Sequence, residues 1–278
     1  AATNIIPQTM ELGGKSANIV CEDADLDAAA EGAAMSTVLN KGEVCLAGSR
    51  LFVHEKVRDA FLDKLVGILS RIRIGDPTSP QTQLGAQASQ MQMDKVMGYL
   101  GKDSLEGAKV LLGGNRATVP GLEKGLFIQP TVLVDVKNDM KVAQEEIFGP
   151  VTSVLTWRDD ADVIRMANDS IYGLGGGLWT RNLTRAHRMA CALETGTIWV
   201  NRYYNFLGGM PIGGYKQSGF GREFGHEVLA HYTLTKSVVI NLSEGGPRCS
   251  FRIQALSAWV VSCARPTAAR RSGAGTVG

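Results

Sequence analysis

The sequence predicts an α/β protein with a mostly parallel sheet covered by helices, and three observations carry that expectation. Apolar strand-like runs alternate with helical periodicities along most of the chain, the pattern of strands joined by crossover helices. Its 33 glycines against 9 prolines suit tight strand–helix turns and close backbone approaches. At 278 residues, with 44% hydrophobic and 20% charged side chains, the chain has apolar material for a sizeable core. That excludes a disordered chain, a collagen-like chain and a disulfide-dense miniprotein.

The elements follow in order. Residues 5–20 read as two short extended runs flanking Gly13 and Gly14, after which Asp23 or Asp25 caps an Ala-rich helix running to about Asn40. A loop carrying Gly42 and Cys45 leads to a strand over Arg50–His54. Val57, Phe61, Leu65, Ile68, Leu69 and Ile72 recur at helical spacing from Glu55 to Arg73, and Gly75-Asp76-Pro77 stops that helix. A second helix covers Ser89–Lys102, followed by strands at Ala108–Leu112, Phe127–Val134 and Val151–Trp157. Then come a helix over Asp160–Asn168, a strand over Gly175–Thr180, a helix over Asn182–Leu193 and a strand over Thr197–Asn201. Ser237–Leu242 reads as a late apolar strand that pairs across a subunit boundary. Residues 244–278 are biased to Arg, Ala, Ser and Gly without a helix or strand period, the signature of a disordered or extraneous tail.

Charge is nearly balanced, 29 basic against 27 acidic residues, and the excess sits in that tail. A near-neutral body gives no electrostatic reason to expect nucleic acid or an anionic membrane as partner. Five scattered cysteines without CxxC spacing favour a reducing compartment, and no run of 18 apolar residues or leader-like start is present, so the reading is soluble and cytoplasmic. The chain opens on Ala1 within a strand-like stretch, which suggests that an upstream part precedes it.

Several apparent motifs dissolve on counting. Gly13-Gly14-Lys15-Ser16 resembles the end of a phosphate loop, but position 9 is Thr where that loop needs Gly. Gly273, Gly275 and Gly278 have the spacing of a dinucleotide fingerprint with no helix after them. His226 and His231 stand five apart, on different faces of a helix, so no metal site is expected. No Gly-x-Ser-x-Gly elbow occurs.

Two segments survive: Met10-Glu11-Leu12-Gly13-Gly14-Lys15-Ser16, an acid before two glycines, and Asn40–Ser49, with Cys45 on a glycine-flanked loop. Taken singly, Cys45 reads as a packed small hydrophobe and Glu11 as a capping acid. Taken together they are followed by Glu145-Glu146-Ile147-Phe148-Gly149-Pro150, Trp199-Val200-Asn201, Pro211 to Glu223, and His231 to Ser237. In this order and spacing the chain resembles the NAD(P)-dependent aldehyde dehydrogenase family over about residues 1–243, with some likeness to betaine-aldehyde dehydrogenases in Gly213 to Glu223.

The resemblance implies a chemistry. A thiolate attacks an aldehyde, a hydride leaves for the nicotinamide of NAD or NADP, and water hydrolyses the thioester to a carboxylic acid. Cys45 matches the nucleophile and Glu11 the base that activates the thiol or the water. The Cys45 backbone N–H would hold the oxyanion. Glu146 would bond the nicotinamide ribose, Phe148 would pack near the ring, Gly13 would admit the cofactor, and Gln92 and Lys95 fall where the family sometimes contacts ribose. Val44, Leu46, Tyr203, Phe206 and Ile212 match the substrate mouth, apolar enough for an aliphatic or aryl aldehyde. Tyr203 with Tyr204 could instead face a quaternary ammonium.

The resemblance also implies an organisation: 1–12 as a remnant of the NAD-binding domain, 13–225 as the catalytic domain, 226–243 as a C-terminal return with an oligomerisation strand in a homodimer or homotetramer, and 244–278 as the tail. The family's Rossmann-type domain and oxyanion Asn fall upstream of Glu11, so that domain is largely missing from this chain. Leu234 stands where some members carry a Glu, and Ala86 where Pro is usual. Two other readings stay open. One is a truncated or recruited fold serving as a structural or interaction subunit without turnover. The other is a cofactor-free thiol esterase, for which no histidine is placed by motif.

Overall fold

Met10–Glu11 (β1) and Ala17–Val20 (β2) flank the Gly13-Gly14 turn. The computed structural model describes residues 2–240 and residue 242, and divides at Leu234 into two units along the chain. Every residue of β2 is buried, as is every residue of Arg50–His54 (β3). A strand buried on both faces needs a covering layer on each side. Lys109–Leu112 (β4), Thr131–Val134 (β5), Val151–Trp157 (β6), Tyr172–Gly173 (β7), Gly175–Trp179 (β8) and Thr197–Val200 (β9) follow. Tyr215–Lys216 (β10) and Gly219–Phe220 (β11) complete the strands of the first unit. Seven strands form one sheet in the order β4-β5-β6-β3-β2-β8-β9, in which only the β4–β5 pair is antiparallel. The mostly parallel sheet expected from the sequence is therefore present.

Alternation along the strands sorts the core into two layers. Ile19, Phe52, Leu133, Leu155 and Leu178 face one way, packed with Met93 and Val96 of helix Gln90–Tyr99, Val163 and Ala167 of Asp160–Asn168, and Ala186 and Met189 of Leu183–Ala192. Val20, Leu51, Val53, Val134 and Val154 face the other, against the alanines of Leu26–Val38 (α1) and Phe61, Leu62, Leu65 and Leu69 of Arg58–Leu69 (α2). The helices begin where short polar side chains can accept the first free amides: Asp25 takes Asp27 N and Ala28 N, Asp159 takes Ala161 N, and Asn182 takes Arg185 N. Each such cap contributes about 1 kcal/mol.

Some expected elements are shortened or absent. The strand expected over Phe127–Val134 begins only at Thr131, because Pro130 has no N–H to give a neighbour. The helix expected over Glu55–Arg73 is a 3-10 turn at Glu55–Val57 followed by α2, ending at Leu69. Ser237–Ile240 is not a strand: Val238, Val239, Ile240 and Leu242 are exposed, and a strand exists only where its amides and carbonyls find a partner. Asn241 and the tail 244–278, with Cys249, Cys263 and Gly273 to Gly278, lie outside the described residues. Among the described residues no helix is long and apolar enough to cross a membrane, and no group of His, Cys, Asp and Glu is arranged to hold a metal.

The parallel register brings three connections together. The chain segments entering β2, β3 and β6 are Gly13–Ser16, Cys45–Ser49 and Glu146–Pro150, and Ala17, Arg50 and Ser153 lie side by side across the sheet. The segments singled out in the sequence thus converge at the amino ends of adjacent strands.

Candidate active site

Cys45 sits half-buried on the loop between α1 and β3, packed against the second core layer. A left-handed turn holds this loop: Asn40, Lys41 and Gly42 all have positive φ, and a Cβ on Gly42 would fall on the carbonyl of Gly149. Glycine at 42 therefore lets the cysteine loop lie flat on the backbone of the Glu146–Pro150 segment. Glu43 fastens the loop from the side, accepting Ala88 N at 2.9 Å.

The Gly13-Gly14 turn makes the second close approach. A Cβ on Gly14 would collide with the carbonyl oxygen of Cys45, and Gly14 N donates to Glu146 Oε1 at 2.9 Å. A Cβ on Gly13 would stand 2.5 Å from Glu146 Oε2. The two glycines thus let the acid segment, the thiol loop and Glu146 meet without side chains between them.

Charge at the site follows from this packing. Burial pushes the Cys45 thiol up, the charges of Glu11 and Glu146 add to that, and the backbone N–H groups of Cys45 and Leu46 pull it down. Glu11, on β1, is exposed, yet partial burial raises its carboxyl, with Glu223 adding and Arg222 opposing. One half-buried thiol with two carboxylates in electrostatic reach, one of them a poor acid, is an arrangement for proton transfer beside a nucleophile.

The remaining expected residues fall into distinct places. Phe148 is half-buried with φ at 62°, an uncommon conformation for a bulky side chain, and Gln92 Nε2 donates to the carbonyls of Ile147 at 3.2 Å and Phe148 at 2.6 Å. The Gln92 amide is thus committed to the loop itself. Lys95, one turn on, is exposed. Of the five side chains expected at a substrate mouth, Leu46, Tyr203 and Ile212 are buried in the second core layer, Val44 is half-buried against it, and Phe206 is exposed. Tyr204 lies half-buried between them, edge-on to Tyr203 and stacked near Phe206.

Two residues that sequence reasoning did not single out hold the site. Ser218 is fully buried; its hydroxyl donates to Gly13 O at 2.7 Å and accepts Gly173 N at 3.0 Å, while its carbonyl accepts Leu12 N at 3.1 Å. One residue thus pins the two residues that follow Glu11, and the only hint was its place before a turn glycine in Gln217-Ser218-Gly219. Lys15 is the other. Its backbone carbonyl accepts Arg50 Nε at 2.9 Å, but its own Nζ is buried without a hydrogen-bond partner, beside a cavity of about 20 Å³ also lined by Arg50.

Burial lowers the Lys15 ammonium from 10.5 to about 7, with the Arg50 charge adding and Glu146 and Glu145 opposing. Between those values the unfolded chain binds a proton that the folded chain does not, so this group makes stability rise with pH across that window. Lys15→Met removes an ammonium that nothing bonds and is expected to stabilise the fold at neutral pH by about 1–3 kcal/mol. Thermal unfolding from pH 6 to 10 checks this: the variant's advantage should shrink as pH rises, and an advantage independent of pH would contradict it.

The sequence profile described as the aldehyde dehydrogenase family matches residues 1–238. An aldehyde dehydrogenase from Bacillus cereus, solved as its NAD+ complex, shares 45% identity and superposes with a TM-score of 0.83 over 87% of this chain and 48% of its own. Betaine aldehyde dehydrogenase from Staphylococcus aureus, in complex with NAD+, shares 38% identity with a TM-score of 0.80 over 84% of this chain and 46% of its own. The chain therefore spans about half the length of the solved structures it matches. A match over most of the sequence, and close superposition on solved members at these identities, make this chain a member of the aldehyde dehydrogenase family.

Proposed function

We propose that this chain carries the thiol and the base of an NAD-dependent aldehyde dehydrogenase that oxidises an apolar aldehyde to a carboxylic acid. The observation that carries the reading is the backbone-held junction at which Gly14 lies against the Cys45 carbonyl and bonds Glu146, with the Glu11 charge felt at the Cys45 thiol. Cys45 Sγ, as thiolate, adds to the aldehyde carbonyl carbon, and the Cys45 backbone N–H bonds the oxygen that becomes negative. Once the resulting thiohemiacetal is oxidised, Cys45 holds a thioester. Glu11 then takes a proton from water as the water attacks that thioester, and Cys45 leaves as thiolate.

The site's residues fit the nicotinamide end of NAD. The Glu146 carboxylate can accept ribose hydroxyls, the half-buried Phe148 ring offers an apolar face, and glycine at 13 keeps a side chain off the Glu146 carboxylate. Gln92 serves by holding the carbonyls of Ile147 and Phe148, and Lys95 follows three residues on along the same helix. NAD, when bound, supplies the hydride acceptor. On the thiol's side Val44, Tyr204 and Phe206 are the apolar side chains that reach the surface and can meet an aldehyde, with Leu46, Tyr203 and Ile212 buried in the core behind them. In this reading residues 13–225 form the catalytic domain with Cys45, residues 1–12 belong to the cofactor domain and lend Glu11 to the site, and the apolar run Ser237–Leu242 finds a second copy in a homodimer or homotetramer.

The test is aldehyde-dependent NADH formation by the chain, beside a Cys45→Ala control. NADH that requires both the aldehyde and Cys45 is the expected result. NADH formed equally well by the control would overturn the assignment of the nucleophile.

A further inference from the structure

Tyr203 is buried, and its surroundings are shaped to its ring and hydroxyl. Its Oη donates to the Leu46 carbonyl at 2.9 Å. A Cβ on Gly177 of β8 would stand 2.7 Å from the ring, and a Cβ on Gly48 would stand 2.9 Å from the hydroxyl oxygen. Both positions carry glycine, so the strand below and the cysteine loop above leave a slot that the ring fills. Trp199 and Tyr204 close the sides, with ring centroids at 5.0 Å and 4.8 Å from Tyr203. A ring clamped on all sides delivers its hydroxyl to one fixed point, and that point is the residue following the thiol.

We propose that Tyr203 is a positioning residue whose hydroxyl, through the Leu46 carbonyl, fixes the peptide groups next to Cys45 so that their N–H groups face the sulfur. The proposal rests on Cys45 being the reactive thiol. Leu46 is buried and its side chain belongs to the core, so its carbonyl is the handle by which the loop's orientation is set. The backbone N–H of Leu46 pulls the Cys45 thiol down, and a residue 46 held less firmly loses part of that pull.

The substitution Tyr203→Phe removes the hydroxyl and keeps the ring. Its readout is the rate of Cys45 alkylation by iodoacetamide against pH, resolved cysteine by cysteine by mass spectrometry, with Cys191, exposed on its helix, as internal reference. The expected result is a fall of about fivefold in the Cys45 rate near neutral pH, the factor a typical net hydrogen bond represents, with the midpoint moved to higher pH and Cys191 unchanged. A Tyr203→Phe protein whose Cys45 rate and midpoint match the parent's would overturn the proposal, as would an equal change at every cysteine, which marks general loosening. Cys45→Ala run alongside in the ester assay separates the two claims: a burst that survives it defeats the nucleophile assignment and leaves the Tyr203 measurement to be read on its own. Tyr203→Leu, which empties the slot, should lower stability as well as the Cys45 rate, whereas Tyr203→Phe lowers the rate with little loss of stability.

Discussion

Cys45→Ala is expected to remove the p-nitrophenyl acetate burst and any aldehyde oxidation, a loss of about 10³–10⁶-fold of the kind seen when a catalytic nucleophile is deleted. The reason is local. Cys45 is half-buried at the end of a left-handed turn, with Gly14 and Gly42 bringing two backbone segments against it, and no other described cysteine shares that setting. Cys21 is buried, and burial pushes its thiol up to about 12, so it carries almost no thiolate near neutral pH. Cys191 is exposed on its helix, with no backbone segment folded against it by a glycine turn of this kind among the described glycines. Because Cys45 is only half-buried and alanine keeps the backbone, stability should change by less than about 1 kcal/mol. Loss of activity with an unchanged unfolding temperature is therefore the expected pair of results.

Glu11→Gln should separate the two halves of the reaction. The Glu11 charge raises the Cys45 thiol, so the amide, which carries no charge, is expected to make Cys45 ionise more readily and alkylate faster at a given neutral pH. Turnover should nevertheless fall by about 10²–10⁴-fold, because the water that clears the thioester loses its base. The expected trace is a retained ester burst followed by a nearly flat steady state. If the Glu11 carboxylate instead served chiefly to deprotonate the thiol, burst and steady state would fall together. The pH profile adds a signed test. The base acts only when ionised, and its carboxyl is held above the ordinary 4.5 by burial and by Glu223. The acid limb of steady-state turnover should therefore lie above that value, move down in Glu223→Gln, and move up in Arg222→Gln.

Much of this was legible in the sequence because it rests on local chemistry. Asp25, Asp159 and Asn182 announce helix starts through their side-chain oxygens, and the alternation of Ile19 with Val20 and of Leu51 with Phe52 marks strands covered on both faces. Glu11, Cys45, Glu146 and Phe148 stood out only through the resemblance of their segments, taken together, to the aldehyde dehydrogenase family. What escaped was decided by contacts far apart along the chain. Nothing local in Gln217-Ser218-Gly219 says that the hydroxyl will reach Gly13, and nothing local in Tyr203-Tyr204 says which ring is buried beneath the cysteine loop. Nothing local in Gly13-Gly14-Lys15-Ser16 says that the Lys15 side chain is buried; entry into β2 at Ala17 buries it. Ser237–Leu242 has the composition of a strand, but composition supplies no partner for its amides.

The most direct test of Cys45 as the nucleophile is to catch its covalent product. The chain is mixed with p-nitrophenyl acetate, quenched in acid during the burst, digested and mapped by mass spectrometry, with Glu11→Gln used to lengthen the lifetime of the adduct. A single acetyl group on the peptide bearing Cys45, more abundant in Glu11→Gln than in the parent, is the predicted result. Acetyl groups on Cys191 or on lysines, with Cys45 unmodified in both proteins, would contradict it.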